Sequence, residues 1–278
     1  MIEYLFEHQD ELYSLSFLWL ITAAALLEFF WPRRANEQPP LRRWLTNAGL
    51  YIFNGVCSRF LIPITGAGLA IFCQQQGWGL FNNIGAPVWL TAVASLLIID
   101  LVGYLQHAML HQASLFWRFH KIHHADLAVD FSTNLRFHPI EVFVSAAVNY
   151  ATIMVFGVPV IIVALDFFLA TLSGFFTHCN FSLPERVDRV IRLFFITPDM
   201  HRVHHSTDPR ETDSNYGVVF PWWDRMFGTY VAQPRKGHDG MQLGLSEYQD
   251  PKYGTLLWAL WMPFAPPVKT AEWSEPAE

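Results

Sequence analysis

The chain has 278 residues, of which 52% are hydrophobic, 16% aromatic and only 15% charged, and its formal net charge is −6. Soluble domains carry about 25% charged residues, and the mean hydropathy here is +0.22, so the composition argues against an ordinary soluble enzyme. There is no basic patch interleaved with aromatics, which argues against a nucleic-acid partner.

The first element is the apolar run Leu12–Trp31, broken only by Glu28. No basic n-region precedes it, so it reads as an anchor helix and not as a cleaved signal peptide. Glu28, near the end of the run, reads as an interfacial charge. After a polar, Pro-rich link (Trp31–Pro40) comes Trp44–Cys73, a weaker span because it holds Arg59, Pro63 and several glycines. Val88–Leu110 is apolar until Asp100 and His107. It and Leu12–Trp31 are each long enough to cross a hydrocarbon core of about 30 Å. Val142–Phe176 carries Asp166 as its one charge and is broken at Gly157-Val158-Pro159. It reads as two short helices meeting at a turn, a tight hairpin or a partly re-entrant pair. Ser206–Asn215 is a turn-rich loop, and Tyr253–Phe264 is apolar but too short to span, as an interfacial helix would be.

Lys and Arg are absent from residues 1–32, 60–117 and 137–185. They concentrate at Arg33, Arg34, Arg42 and Arg43, at Arg118, Lys121 and Arg136, and from Arg186 onward. The positive-inside rule makes those regions cytoplasmic. The expected fold is therefore all-α: a polytopic integral membrane bundle of about four or five membrane helices, with a histidine-rich helical cap facing the cytoplasm. The compartment would be the inner or plasma membrane of a bacterium, or the endoplasmic reticulum of a eukaryote.

Eight histidines fall in three clusters: His107 and His111; His120, His123 and His124; His201, His204 and His205. On a helix the first pair is about 40° apart, and each H-x-x-H-H box fits an arc of about 100°. A lone histidine on an apolar helix is usually a satisfied core residue. Packing offers no reason to repeat two adjacent imidazoles after a spaced third. Imidazole binds Zn, Cu, Fe and Ni. Eight rings exceed what one zinc uses, which favours two ions, and nitrogen ligands alone leave zinc and iron both open. No glutamate follows His107, as a zinc protease would require. Cys57, Cys73 and Cys179 form no C-x-x-C, arguing against iron–sulfur and cysteine-type zinc sites. Asp100, Tyr104, His107 and His111 share about 80° of a helical wheel. Asp100 is thus placed to orient a ligand imidazole, or else to bond another helix, and Asp166 has the same two readings. A membrane zinc hydrolase and a non-catalytic metal-binding or transport protein remain alternatives to an oxygenase.

Longer motifs surround these clusters: Asp100-x3-Tyr104-x2-His107-x3-His111, His120-Lys-Ile-His123-His124, Arg136-Phe-His138-Pro-Ile-Glu141 and Thr197-Pro-Asp-Met-His201-Arg-Val-His204-His205. Asn215-Tyr216-Gly217 and Trp223-Asp224-Arg225-Met-Phe227-Gly228-Thr229 follow. In this set the chain resembles the fatty acid hydroxylase / sterol desaturase superfamily of membrane di-iron enzymes. The three-residue gap of the first box resembles the hydroxylase and sterol branch more than acyl-CoA desaturases. The resemblance implies a catalytic region at 88–232 between N-terminal membrane helices (1–87) and a C-terminal interfacial segment and tail (233–278). It implies that the eight clustered histidines bind iron, that His178 supplies a further ligand, and that His138 is either a ligand or a supporting residue. Asp100, Tyr104 and Asp224 would support the site. His8 and His238 match nothing and are expected at the surface. The implied chemistry uses two Fe ions and O2 to hydroxylate or desaturate a C–H bond of a lipid (sterol, fatty acyl, carotenoid or ether lipid). With no G-x-G-x-x-G after a strand, electrons would come from a separate NAD(P)H-linked carrier, cytochrome b5-like or a ferredoxin with its reductase.

Overall fold

The structure is a computed structural model and describes residues 9–35 and 40–266. Among these residues every regular element is helical, and only the isolated bridges Pro32–Phe181 and Ser206–Leu243 pair extended backbone. His8 and the tail beyond Pro266 lie outside the described residues.

Helix α1 is Gln9–Phe30 and α2 is Pro40–Leu61. Pro63 lacks an N–H and stops α2, and Thr65 then caps α3 (Gly66–Gln76) by accepting from Gly68 N at 3.1 Å. The region expected as one weak span is thus a long helix and a short one. Helix α4 is Val88–Gln112 and α5 is Ser114–His124, separated by the extended Ala113. Helix α6 (Pro139–Phe156) and helix α7 (Val160–His178) form the hairpin. Gly157, in the left-handed region at φ 66°, ends α6, and Pro159 caps α7. Both hairpin helices are longer than expected, because α6 starts at Pro139, where proline is tolerated at the first helical position. Among the described residues, five stretches are long and apolar enough to cross a membrane: Tyr13–Phe30, Pro40–Asn82, Val88–Gln112, Pro139–Phe156 and Val160–His178.

Helix α3 packs on α6 and α7, α4 on both, and α1 on α7. Trp19, Phe29, Phe60 and Val88 remain exposed on the outer faces. In water such apolar area would drive association, whereas lipid tails solvate it at no cost.

Short elements cap one end of this bundle: α8 (Glu185–Ile191), α9 (Pro198–His204), α10 (Trp222–Phe227) and α11 (Leu256–Trp261). The α11 segment buries Ala259 and Met262 against Leu50, Ile122 and Tyr248 while Leu257 and Trp261 stay exposed.

Four polar residues are held by partners distant in the chain. Glu28 is not a free interfacial charge: its Oε1 accepts from the backbone N–H of Phe131 (2.7 Å) and Asn180 (2.8 Å). Both donors lie in turns that would otherwise leave N–H groups unpaired. Arg43 and Arg136, read as topology markers, are buried. Arg43 pairs with Asp126 (2.6 Å) and Asp130 (2.8 Å), and Arg136 donates to Ile122 O (2.8 Å) and Asn47 Oδ1 (3.0 Å). This network fastens the end of α5 to α2. His238, expected at the surface, is also buried, with Nε2 3.5 Å from Asp199 Oδ2.

Candidate metal centre

Nine imidazoles converge in the cap. His107, His111, His120, His124 and His204 form one group, and His123, His178, His201 and His205 form another. Within each group one ligand atom per residue lies within 4.8 Å of the others. Each H-x-x-H-H box is split between the groups, in opposite senses. His120 and His124, one helical turn apart, join the five-ring group while His123 turns to the other. His201 and His205 join the four-ring group while His204 crosses over. A box of three thus serves two centres at once, because i and i+4 share a face and i+3 lies to one side.

Tautomers follow from the hydrogen bonds. His107 Nδ1 meets Tyr216 O at 2.8 Å, His204 Nδ1 meets Ser214 O at 2.7 Å and His178 Nδ1 meets Gly174 O at 2.8 Å. Each carbonyl only accepts, so these Nδ1 atoms carry the proton and each Nε2 presents a lone pair. His120 Nδ1 meets Glu141 Oε1 at 2.7 Å, and His111 Nδ1 is 3.3 Å from Asp213 Oδ1. In the five-ring group Nε2 of His107, His111, His120 and His204, and both nitrogens of His124, are buried without a hydrogen-bond partner.

The four-ring group carries a second signature. Nε2 of His178 is 3.0 Å from Nε2 of both His123 and His201, and His201 Nε2 is 3.2 Å from His205 Nε2. His178 Nε2 can only accept, and one proton on His201 cannot serve both neighbours. Neutral rings therefore leave lone pairs facing each other at contact distance. A cation between them would remove the conflict, because each nitrogen could then turn its lone pair to a shared ion. Burial first, then the neighbouring rings, holds His123, His124, His201 and His205 well below the usual histidine pKa. For His204, too, burial is the largest cause of lowering. Neutral imidazoles are the form that binds metal. The residues present fit two metal ions.

The loop after α9 aims two of these rings. Asn215 adopts a left-handed backbone, φ 51°, and its side chain is tied to Met200 O, Val231 O and Val231 N at 2.9–3.0 Å. The reversal there lets the flanking carbonyls of Ser214 and Tyr216 both reach imidazoles. Asp224 holds the same loop, accepting from Tyr216 N (2.8 Å), Gly217 N (2.9 Å) and Thr229 Oγ1 (2.7 Å). Tyr104 OH lies 3.0 Å from Thr229 Oγ1. Asp224 and Tyr104 thus reach the rings through the loop and not directly.

Of the two readings of Asp100, the structure takes the second: it contacts no imidazole and accepts from Val219 N (3.1 Å) and Trp223 Nε1 (2.7 Å), joining α4 to α10. His138 lies in neither group. It caps α6, its Nδ1 accepting from Ile140 N at 3.1 Å, and its ring packs on Phe119 and Phe264. The carboxylates that do touch imidazoles are Glu141 and Asp213, which the wheel of α4 could not indicate. A lone acid three residues after His138 in an apolar helix was the signal for Glu141.

Below the rings lies a cavity of about 290 Å³. His107 and His120 of one group and His123, His178 and His201 of the other line its upper end, and it descends between α4, α6 and α7.

The family model described as Fatty acid hydroxylase matches residues 92–229. Alkylglycerol monooxygenase of Caenorhabditis elegans is 34% identical over 173 residues, 60% of this chain and 33% of that protein. Ornithine lipid hydroxylase OlsE of Rhizobium tropici is 30% identical over 149 residues, 54% of this chain and 44% of that protein. Very-long-chain aldehyde decarbonylase GL1-4 of Oryza sativa subsp. indica is 25% identical over 213 residues, 64% of this chain and 33% of that protein. The chain spans less than half the length of these relatives. No solved structure matches it. The matched stretch takes in all nine converging imidazoles together with Glu141, Asn215 and Asp224, and on that ground the chain belongs to the fatty acid hydroxylase / sterol desaturase superfamily.

Proposed function

We propose that the chain is a multi-pass membrane oxidoreductase that uses two irons and O2 to hydroxylate a C–H bond of a lipid. The observation that carries this reading is one cavity, open to the membrane-spanning helices, whose upper wall is built from imidazoles of both groups. The relatives' printed names, alkylglycerol monooxygenase and ornithine lipid hydroxylase, support a lipid substrate and insertion of oxygen. The overall balance is RH + O2 + 2e⁻ + 2H⁺ → ROH + H2O, with the electrons supplied by a separate carrier protein. The distribution of Lys and Arg supports a cap on the cytoplasmic side, where such carriers work.

Iron held by His107, His111, His120, His124 and His204, and by His123, His178, His201 and His205, supplies the oxygen chemistry that breaks an unactivated C–H bond. The chain's own residues prepare that site. Glu141 accepts the Nδ1 proton of His120, fixing its tautomer and making its Nε2 a stronger donor. The Ser214 and Tyr216 carbonyls do the same for His204 and His107. Burial keeps the rings neutral and excludes water, and the cavity holds a substrate chain against the upper wall.

Purified protein is expected to hold about two irons per chain, the number of clustered ligand groups. Turnover of cell lipids under ¹⁸O2 should place one ¹⁸O in a lipid product. His123→Ala and His204→Ala should each lose iron and turnover while still inserting in the membrane. Stoichiometric zinc in active protein, with turnover that needs no O2, would overturn the proposal.

A further inference from the structure

The lower end of the cavity has a chemistry of its own. On α7 the lining residues Asp166, Ala170, Gly174 and His178 recur every four residues, a single helix face. On α6 the lining residues Glu141, Ser145 and Asn149 do the same. Asp166 is therefore about 18 Å below His178 along α7, and Asn149 about 12 Å below Glu141 along α6, at about 1.5 Å per residue. Both positions fall well inside apolar helices that are long enough to span a bilayer.

Some polar groups of this wall are already engaged. Gln106 Nε2 donates to Ser145 Oγ at 2.6 Å, and both Asp100 oxygens accept hydrogen bonds from the α10 region. The half-buried Asp166 and the exposed Asn149 make no hydrogen bond among the described residues, and neither does Asn134, higher on the wall beside Gly174. A carboxyl and an amide without partners are costly in hydrocarbon, and an ionisable group at such depth marks a substrate or ion path. The acids on the cavity wall are Asp100, Glu141 and Asp166, and no Lys or Arg joins them there. The lower end thus offers a carboxyl and an amide, with no Lys or Arg to receive an anion.

We propose that Asp166 and Asn149 form the polar floor of a substrate chamber. They bind a hydrogen-bond-donating hydroxyl or amine of the lipid and exclude a free carboxylate. The assignment rests on the reading of this cavity as the substrate site. A chain anchored at this floor extends up between α6 and α7 toward the rings. Asp166 is then a specificity-determining residue that sets which carbon reaches the upper wall.

The test is scintillation-proximity binding of tritiated hexadecan-1-ol, hexadecylamine and hexadecanoate to the purified full chain. Wild-type protein should bind the alcohol and the amine, each displacing the other, and hexadecanoate about tenfold more weakly or less, the scale of one lost charged or hydrogen-bonded contact. Asp166→Leu should weaken alcohol and amine by about tenfold and erase the discrimination against hexadecanoate. Asp166→Asn should keep the alcohol and lose the amine, separating a hydrogen bond from an ion pair. Iron content and melting temperature of each variant, unchanged from wild type, show that the fold and the upper wall are intact. Equal binding of the three probes by wild-type protein, or an unaltered pattern in Asp166→Leu, overturns the proposal. Alcohol binding that obeys this pattern in active protein that holds zinc and turns over without O2 would leave the chamber standing and the oxygenase reading refuted.

Discussion

Glu141 owes its position to its neighbours in sequence. His138 caps α6, Pro139 sets the first helical position, and Glu141 falls in the first turn, where the helix dipole favours a carboxylate. From there it reaches His120 Nδ1 at 2.7 Å. Glu141→Gln keeps an acceptor but removes the charge. It should cost about 10–100-fold in iron affinity or activity, the usual scale for partners of ligand imidazoles. Iron titration followed by turnover assays checks this, and a Glu141→Leu variant with wild-type iron affinity would remove the residue from the site. The histidines were legible in sequence because repeated spacing is improbable without a shared function. Glu141 stood in the motif around His138 but was given no role, since the acid alone does not name the imidazole it will meet. For Asp100 the sequence left two partners open, an imidazole or another helix. A helical wheel aligned it with His107 but omits axial rise, and seven residues put it about 10 Å further down α4.

At the scale of elements, the α6–α7 hairpin depends on two glycines meeting backbone to backbone. A Cβ on Gly79 would sit 2.1 Å from Gly157 N, and one on Gly157 would meet Asn82 Nδ2 at 2.7 Å. Gly157 also has φ 66°, which a β-branched residue tolerates poorly. Gly157→Val combines left-handed strain with overpacking, together about 2–5 kcal/mol. Because α6 carries Glu141 and α7 carries His178, the damage should extend to the metal centre. The expected result is a lower melting temperature of the purified protein with reduced iron content, and unchanged melting would refute the argument. The break itself was readable from Gly157-Val158-Pro159. The partner of Gly157 was not, because Gly79 lies far away in sequence.

Across the whole molecule, burial of polar groups in the cap makes stability depend on pH. His238 is held below its ordinary pKa by burial, with the guanidinium groups of Arg202 and Arg33 adding to the lowering against the pull of Asp199. A histidine that resists protonation when folded binds its proton more readily when unfolded. Stability is therefore full above the ordinary value of about 6.5 and falls as pH drops below it. Melting temperature should decline between pH 7 and pH 5, and His238→Gln should flatten that decline. An equal decline in both proteins would assign the acid sensitivity elsewhere.

The sequence by itself determined the class of the molecule. Apolar run lengths demanded membrane-length helices, and repeated imidazole spacing demanded a shared site, because both are local properties of a helix. Only the tertiary structure decided how the imidazoles divide. His123 and His124 are adjacent in the chain yet belong to different groups, since a step of about 100° separates them and the facing helices supply the remaining rings. The same limit explains His238, Glu28 and Arg43: the partners that hold them, Asp199, Phe131 and Asp126, are distant in sequence.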